Sequence, residues 1–299
     1  MYPVLFNINL GFLGLGTVPV RTYSVMLLVS FVVGIIVLYR ILKRRTLIDP
    51  SMVSDLAVWV ILGTVIGARL AYVFMHWSDY ANNLGDIFKL WQGGAVYYGG
   101  FILAFVFGGI YLWRKKIPVL PLLDSVGPVV ALGEGIGRIG CYLNGCCFGA
   151  PTHVCGVTFP ANSFASYVYG ADHSIWPTQL FQSGGGVLLF AALLLLLRFA
   201  RLRKGQLFSI FIFGFGGLRL GVNFFRYYED ALNLWTNNWI AIGIMAAGIV
   251  MFFLFTRQNK VPTLEWVAAE RKKMEEARRK QEEKEARKDK RYRKGKKKK

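Results

Sequence analysis

Seven stretches of this chain are apolar for about twenty residues each, the length a helix needs to cross the hydrocarbon core of a bilayer. They run over 23–42, 55–77, 95–113, 118–140, 177–200, 205–225 and 237–257. A helix on a water-soluble domain keeps a polar face, so runs without one read as membrane spans. In lipid each backbone N–H and C=O must be satisfied within its own segment, which a helix achieves. The expected fold is all-α: a polytopic integral membrane protein with seven transmembrane helices. The 54% hydrophobic content and mean hydropathy of +0.40 agree. The fourth stretch is interrupted by Pro121, Asp124, Pro128 and Glu134. It reads as a broken helix, tolerated where it lines a cavity enclosed by protein. The first residues are apolar but lack a basic lead-in and a cleavage site, so they do not read as a signal peptide.

Charge orients these spans. Arg40, Lys43, Arg44 and Arg45 follow the first, and Arg114, Lys115 and Lys116 follow the third. Arg198, Arg201, Arg203 and Lys204 follow the fifth, and a basic tail follows the seventh. The alternate connections are poor in Lys and Arg: 78–94 has only Lys89, 150–176 has none and 226–236 has only Arg226. Lys and Arg accumulate on the cytoplasmic side, so the N-terminus is expected outside and the C-terminus in the cytoplasm. The chain divides into a seven-helix membrane domain over 1–257 and a charged cytoplasmic tail over 258–299. The tail carries 18 Lys/Arg against 8 Asp/Glu, a large share of the formal net charge of +19. Pairs such as Glu275–Arg279, Glu276–Lys280 and Glu283–Arg287 favour helix at its start. The tail reads as a solvated extension, with attraction to anionic inner-leaflet lipid as the alternative. The chain shows no nucleic-acid reader motif, and no nucleic-acid partner is expected.

That orientation puts several polar residues at similar depth in the outer leaflet. Tyr23 begins span one, Tyr97 and Tyr98 begin span three, and Gln179 begins span five. Arg69 lies in the outer half of span two, Arg138 at the outer end of span four and Arg219 in the outer half of span six. A guanidinium in a bilayer is costly unless it is paired or reaches water, so intramembrane arginines mark functional sites. Three arginines converging at one depth suit a phosphate, whose oxygens match the guanidinium fork. For Arg69 a structural use stays open, in which it pairs with a carboxylate or with helix-end carbonyls. Tyr23 and Tyr98 also fit as interfacial aromatics.

Arg138 belongs to the segment Gly133–Gly149, GEGIGRIGCYLNGCCFG. Gly135 to Gly140 matches G-x-G-x-x-G, but no alternating strand and helix pattern surrounds it, which excludes a dinucleotide fold. The four cysteines, Cys141, Cys146, Cys147 and Cys155, fall at or beyond the outer end of span four. His153 is the one histidine close to them in sequence, which argues against a zinc site or a catalytic cysteine. The simpler reading is a disulfide that ties down the outer loop. No metal is expected.

Taken together, these motifs resemble the prolipoprotein diacylglyceryl transferase family of bacterial membrane enzymes. Gly137, Arg138, Gly140, Asn144, Gly145 and Gly149 match the family signature G-R-x-G-N-F-x-N-G-E-x-x-G. Arg21-Thr22-Tyr23, the segment Gly67 to Tyr72 around Arg69, Pro177-Thr178-Gln179-Leu180-Phe181, and Arg219 with Phe224-Phe225-Arg226 resemble four further family motifs, in order, over about residues 20–230. Five positions depart. Tyr98 precedes Gly99-Gly100 where histidine is common, Cys141 replaces asparagine and Cys146 replaces glutamate. Trp176 replaces histidine before Pro177, and Asn223 replaces a glutamate after Arg219.

The resemblance implies an enzyme that transfers the diacylglyceryl group of phosphatidylglycerol to the lipobox cysteine of a preprolipoprotein, with no cofactor. Its setting would be the bacterial inner membrane, with the active site facing the outer leaflet. Its partners would be phosphatidylglycerol, the lipobox-bearing signal peptide and the bilayer itself. Arg138, Arg219 and Tyr98 carry the implied catalytic roles. Tyr23, Arg69, Arg138, Asn144, Gly149, Gln179 and Arg219 are the implied substrate-binding residues. The altered positions leave a second reading, a relative that binds the lipid or the precursor without transfer. A third is an unrelated seven-helix receptor or transporter, although no internal repeat supports a transporter.

Overall fold

The computed structural model describes residues 4–9, 17–81, 84–88, 94, 96–161, 163–170, 173–277, 279 and 282. A hairpin of β1 (Val4–Asn9) and β2 (Thr17–Arg21) leads directly into α1 (Thr22–Arg45). Then come α2 (Met52–Met75), the short α3 (Trp77–Tyr80), α4 (Tyr97–Arg114) and α5 (Val119–Asn144). An outer cap holds β3 (Val157–Thr158), α6 (Phe164–Tyr169) and β4 (Ser174–Ile175). The chain continues through α7 (Thr178–Phe199), α8 (Gln206–Asn223) and α9 (Ala231–Leu254). A further helix, α10, covers 264–277 of the tail.

The expected all-α membrane architecture holds, with strands confined to the hairpin and the cap. Six helices are long and apolar enough to cross a membrane: α1, α2, α5, α7, α8 and α9. The seventh expected span is α4, a shorter apolar helix. The fourth span is not broken. α5 is one continuous helix of 26 residues with Pro128 inside it. Pro121 falls in its first turn, where a proline removes no intrahelical donor. Asp124, expected to interrupt the helix, accepts instead from Gly205 N (2.7 Å) and Phe208 N (2.9 Å). It thereby satisfies orphan amides at the start of α8, the task of an N-cap performed from a neighbouring helix.

Four close pairings of helices build the bundle: α2 with α4, α5 with both α1 and α7, and α8 with α9. Glycine sets how near their backbones come. A Cβ on Gly67 of α2 would lie 2.3 Å from Gly99 O of α4, and one on Gly186 of α7 would lie 2.9 Å from Ala131 O of α5. Such approach is how membrane helices gain packing where lipid supplies no hydrophobic drive. G-x-G-x-x-G thus lies within α5, where Gly135 and Gly140 meet α7 and α1.

At the cytoplasmic end assigned by charge, Leu38, Leu42, Met52, Val53, Tyr111 and Leu122 join α1, α2, α4 and α5 in one core. The tail docks on this end. Val267 is fully buried, and Arg271 donates to the carbonyls of Leu42 (3.1 Å), Thr46 (2.8 Å) and Ile48 (2.7 Å). A cation placed there satisfies orphan carbonyls at the C-terminus of α1 and opposes its dipole. Residues 264–277 form a mostly exposed helix, held to the bundle through Val267 and Arg271. The run Arg291 to Lys299, expected to be disordered, lies outside the described residues.

Candidate active site

The outer end of α5 carries the site. Arg138 Nε donates to Glu134 Oε1 at 2.8 Å, one turn earlier on the same helix. Gln182 of α7 donates its Nε2 to that same oxygen at 2.7 Å. Gln182 Oε1 in turn accepts from Arg219 Nη1 of α8 at 3.4 Å, and Arg219 Nη2 reaches Asn237 Oδ1 of α9 at 3.5 Å. Two guanidiniums on different helices are thus strung on one polar chain through α5, α7, α8 and α9. Glu134 is the carboxylate that offsets their burial. Among the described residues the terminal nitrogens of Arg138 have no hydrogen-bond partner, so its fork remains available to an anion. Arg219 lies within electrostatic range of Arg226 and Arg138.

Arg69 is elsewhere. It is 5% exposed and donates to the backbone carbonyls of Ile87 (2.8 Å), Asp86 (2.8 Å) and Gly94 (3.2 Å), with its charge over the rings of Tyr72 and Tyr80. It braces the outer loop after α2. Among the described contacts, the guanidinium that accompanies Arg138 and Arg219 is Arg226. α2 makes its main packing with α4, and meets α5 in the core at the opposite end of the bundle. Tyr98, at the start of α4 and 75% exposed, is on the Arg69 side of the bundle.

The remaining residues stand around the turn that closes α5. Gly145 takes a left-handed φ of 72° and donates to Tyr142 O, while Cys146 N donates to Cys141 O. This pair of bonds is a Schellman closure, which glycine at the left-handed position permits. Cys147 also has positive φ, at 62°. The first residues of α7 fix the turn: Gln179 Nε2 donates to Cys146 O (2.8 Å) and Thr178 Oγ1 to Cys147 O (3.0 Å). Hydrogen bonds from the Cys141 and Cys146 thiols, then the charges of Arg226 and Arg138, hold the Cys147 thiol well below the usual thiol range. Tyr23 of α1 is within electrostatic range of Arg138 and these thiols, and Asn144 meets Cys146. Gly149 serves a backbone crossing, since a Cβ there would lie 2.5 Å from Phe225 O and 2.6 Å from Trp176. All four cysteines are free thiols, so the expected disulfide is not formed.

The departures from the family signature have structural uses here. Asn223 is 1% exposed and bonded to Asn238 Oδ1 and the Tyr228 hydroxyl. Trp176 packs edge-on against Phe225. A cavity of about 360 Å³ opens beside Arg226 and Asn237, walled by Phe148, Phe164 and Tyr228.

The family model for prolipoprotein diacylglyceryl transferase matches residues 11–254, nearly the whole membrane domain. This chain belongs to that family. Relatives named phosphatidylglycerol–prolipoprotein diacylglyceryl transferase include one from Neisseria meningitidis, 32% identical over 85% of this chain and 95% of its own length. One from Finegoldia magna is 28% identical over 81% of this chain and 93% of its own. One from Synechococcus elongatus is 31% identical over 74% and 77%. Within this family setting, Arg138, Asn144 and Gln179 gather with Tyr23 at one end of α5, and Arg219 joins them through Gln182. Sequence reasoning missed Glu134 and Gln182 as members. The i,i+4 spacing of Glu134 and Arg138 was the available signal for the first.

Proposed function

We propose that this protein transfers the diacylglyceryl group from phosphatidylglycerol to the lipobox cysteine thiol of preprolipoproteins, the first step of bacterial lipoprotein maturation. Beside the family membership, one observation carries the reading: Arg138 and Arg219 are held together by Glu134 and Gln182, with the Arg138 fork unengaged among the described residues. The bridging phosphate of the lipid sits on that fork. As the bond from glycerol carbon to phosphate oxygen breaks, negative charge grows on the departing glycerol phosphate. Preorganised guanidiniums stabilise that charge more than they stabilise the bound lipid, which is what accelerates the step. The thiol passes its proton to water, its sulfur attacks the glycerol carbon to form the thioether, and glycerol phosphate leaves with the electron pair of the broken C–O bond. Asn144, Gln179 and Tyr23 line the approach, Gly149 shapes the turn beside it, and Tyr98 and Arg69 meet the lipid from the α2–α4 side of the bundle.

The protein works in the bacterial inner membrane, with this site toward the outer leaflet, the N-terminus outside and the tail in the cytoplasm. Four basic segments on one side support that orientation. α4 completes the seven spans: its 18 residues extend about 27 Å, close to the hydrocarbon thickness.

Purified protein mixed with phosphatidylglycerol and a synthetic lipobox peptide gives a diacylglyceryl mass gain on the peptide, lost in Arg138→Ala. Absence of that gain, with the Neisseria relative active in parallel, would overturn the transferase reading. It would favour the binding-only relative, for which the engaged, buried Asn223 speaks.

A further inference from the structure

We propose that Cys141, Cys146 and Cys147 form a three-thiolate site for a soft divalent cation of the zinc class, with its fourth position open to an incoming thiol. The sulfurs of the three residues all lie within 4.8 Å of one another. In tetrahedral zinc–thiolate sites, with Zn–S near 2.3 Å, neighbouring sulfurs are about 3.8 Å apart. Closing the triad on a cation therefore takes sub-ångström to ångström movements of side chains, with the backbone in place.

That backbone is built for the purpose. The Schellman closure folds Cys146 back over the last turn of α5, where Cys141 sits. Cys147 then takes a left-handed conformation, which non-glycine residues hold only where the surroundings enforce it. The enforcement comes from α7, whose Thr178 and Gln179 pin the carbonyls of Cys147 and Cys146. Outer groups that fix the ligand-bearing backbone are a regular part of metal sites. Gln179 Oε1 is buried with no hydrogen-bond partner among the described residues, an acceptor left beside the triad.

A disulfide would use two of the sulfurs and strand the third, whereas a cation uses all three. A set of three thiolates selects soft metals over magnesium or calcium. Among the described residues no His, Asp or Glu joins the group, and Cys146 and Cys147 are only partly buried, so the fourth position is accessible. Cys141 and Cys146 also stand where the family signature has asparagine and glutamate, which makes the site a property of this chain.

Resting on the transferase reading, the site supplies what Tyr98 does not, a way to ionise the substrate thiol at neutral pH. A thiol that coordinates zinc loses its proton outright. Here that proton passes to water. With the ion held by Cys141, Cys146 and Cys147, the thiolate so formed would attack the glycerol carbon as the C–O bond breaks, and glycerol phosphate would leave with the electron pair beside Arg138.

The test is metal content. Protein purified anaerobically in detergent and reconstituted with Zn²⁺ or Co²⁺ is expected to hold one ion per chain. The Co²⁺ form should show the intense absorption of tetrahedral thiolate coordination. Cys155→Ser, outside the triad, keeps the ion; Cys141→Ser, Cys146→Ser and Cys147→Ser each lower retention at least tenfold. Wild type that retains no ion, retention indifferent to the three serines, or a disulfide within the triad by mass spectrometry would each overturn the site. The Co²⁺ spectrum of wild type decides the matter even if a variant does not fold. Full transfer by metal-free protein would overturn the site's part in ionising the thiol, and metal without transfer sinks the transferase reading alone.

Discussion

Arg69 on α2 and Arg138 on α5 occupy comparable places, near the outer ends of apolar helices, and are put to opposite uses. Arg69 spends its fork on three carbonyls of its own outer loop. Arg138 spends one nitrogen on Glu134 and leaves its fork free among the described residues. Both satisfy the demand that a guanidinium in this setting find partners. A saturated arginine is a brace; one held by a single carboxylate can still receive an anion. The lesson is that an intramembrane arginine declares its role by how its donors are distributed, which depth alone does not reveal.

The sharpest way to break this contrast is to truncate both side chains. Arg138→Ala is expected to lower the transfer rate about 10²–10³-fold, the range seen when one preorganised donor to developing charge is removed. Its thermal stability should stay near wild type. Arg69→Ala should do the reverse, destabilising the fold by about 1–3 kcal/mol as three partly buried carbonyls lose their donor. Its folded fraction should still transfer lipid within about threefold of wild type, as for a residue that makes no contact with developing charge. Transfer assays beside thermal melts separate the two. An Arg69→Ala protein that melts normally and fails to transfer would erase the distinction.

Glu134→Gln sharpens the same point with a smaller effect. The amide keeps an acceptor for Arg138 or Gln182 but removes the charge that orients both, so about a tenfold loss of rate is expected. Gln182→Leu should give a similar loss, felt mainly through Arg219, and the double variant should lose less than the sum of the two. The smallest effect belongs to the other end of the molecule. Arg271→Ala leaves transfer within about twofold but frees the tail, so limited proteolysis should cut within 258–277 sooner. Its bonds, like those of Arg69, are bonds to carbonyls whose net contribution is about 1 kcal/mol each.

Much of the fold was legible because a span of about twenty apolar residues is a long, redundant signal. The helix limits fall within a few residues of the apolar runs, apart from α9, which begins six residues earlier at Ala231. The prolines of α5 misled because their effect depends on register: Pro121 lies in a first turn, and Pro128 is carried within the helix. The β1–β2 hairpin escaped notice because five or six residues of strand leave only a weak pattern. At the site, Arg138 and Arg219 were legible as charges in apolar surroundings, and the structure links them. The carbonyl partners of Arg69 were not legible, because helix pairing, set by glycine contacts such as Gly67 with Gly99, decides which segments meet. Gln182 carries no charge and Glu134 read as an interruption, so the residues that join the arginines were the least visible.

One contact at the end of the bundle that charge assigns to the cytoplasm has a mechanical meaning for the other end. Asp124 fastens the start of α8 to α5. Arg138 lies fourteen residues along α5 from Asp124, and Arg219 thirteen along α8 from Gln206, so each stands about 20 Å from that joint. The two helices are the arms of a pair of tongs whose pivot is a carboxylate and whose tips are guanidiniums. A change of about 5° at the pivot alters the gap between the tips by about 2 Å, given arms of that length. On the transferase reading, a single side chain at the far end of the bundle would set the spacing of the two guanidiniums that hold the phosphate.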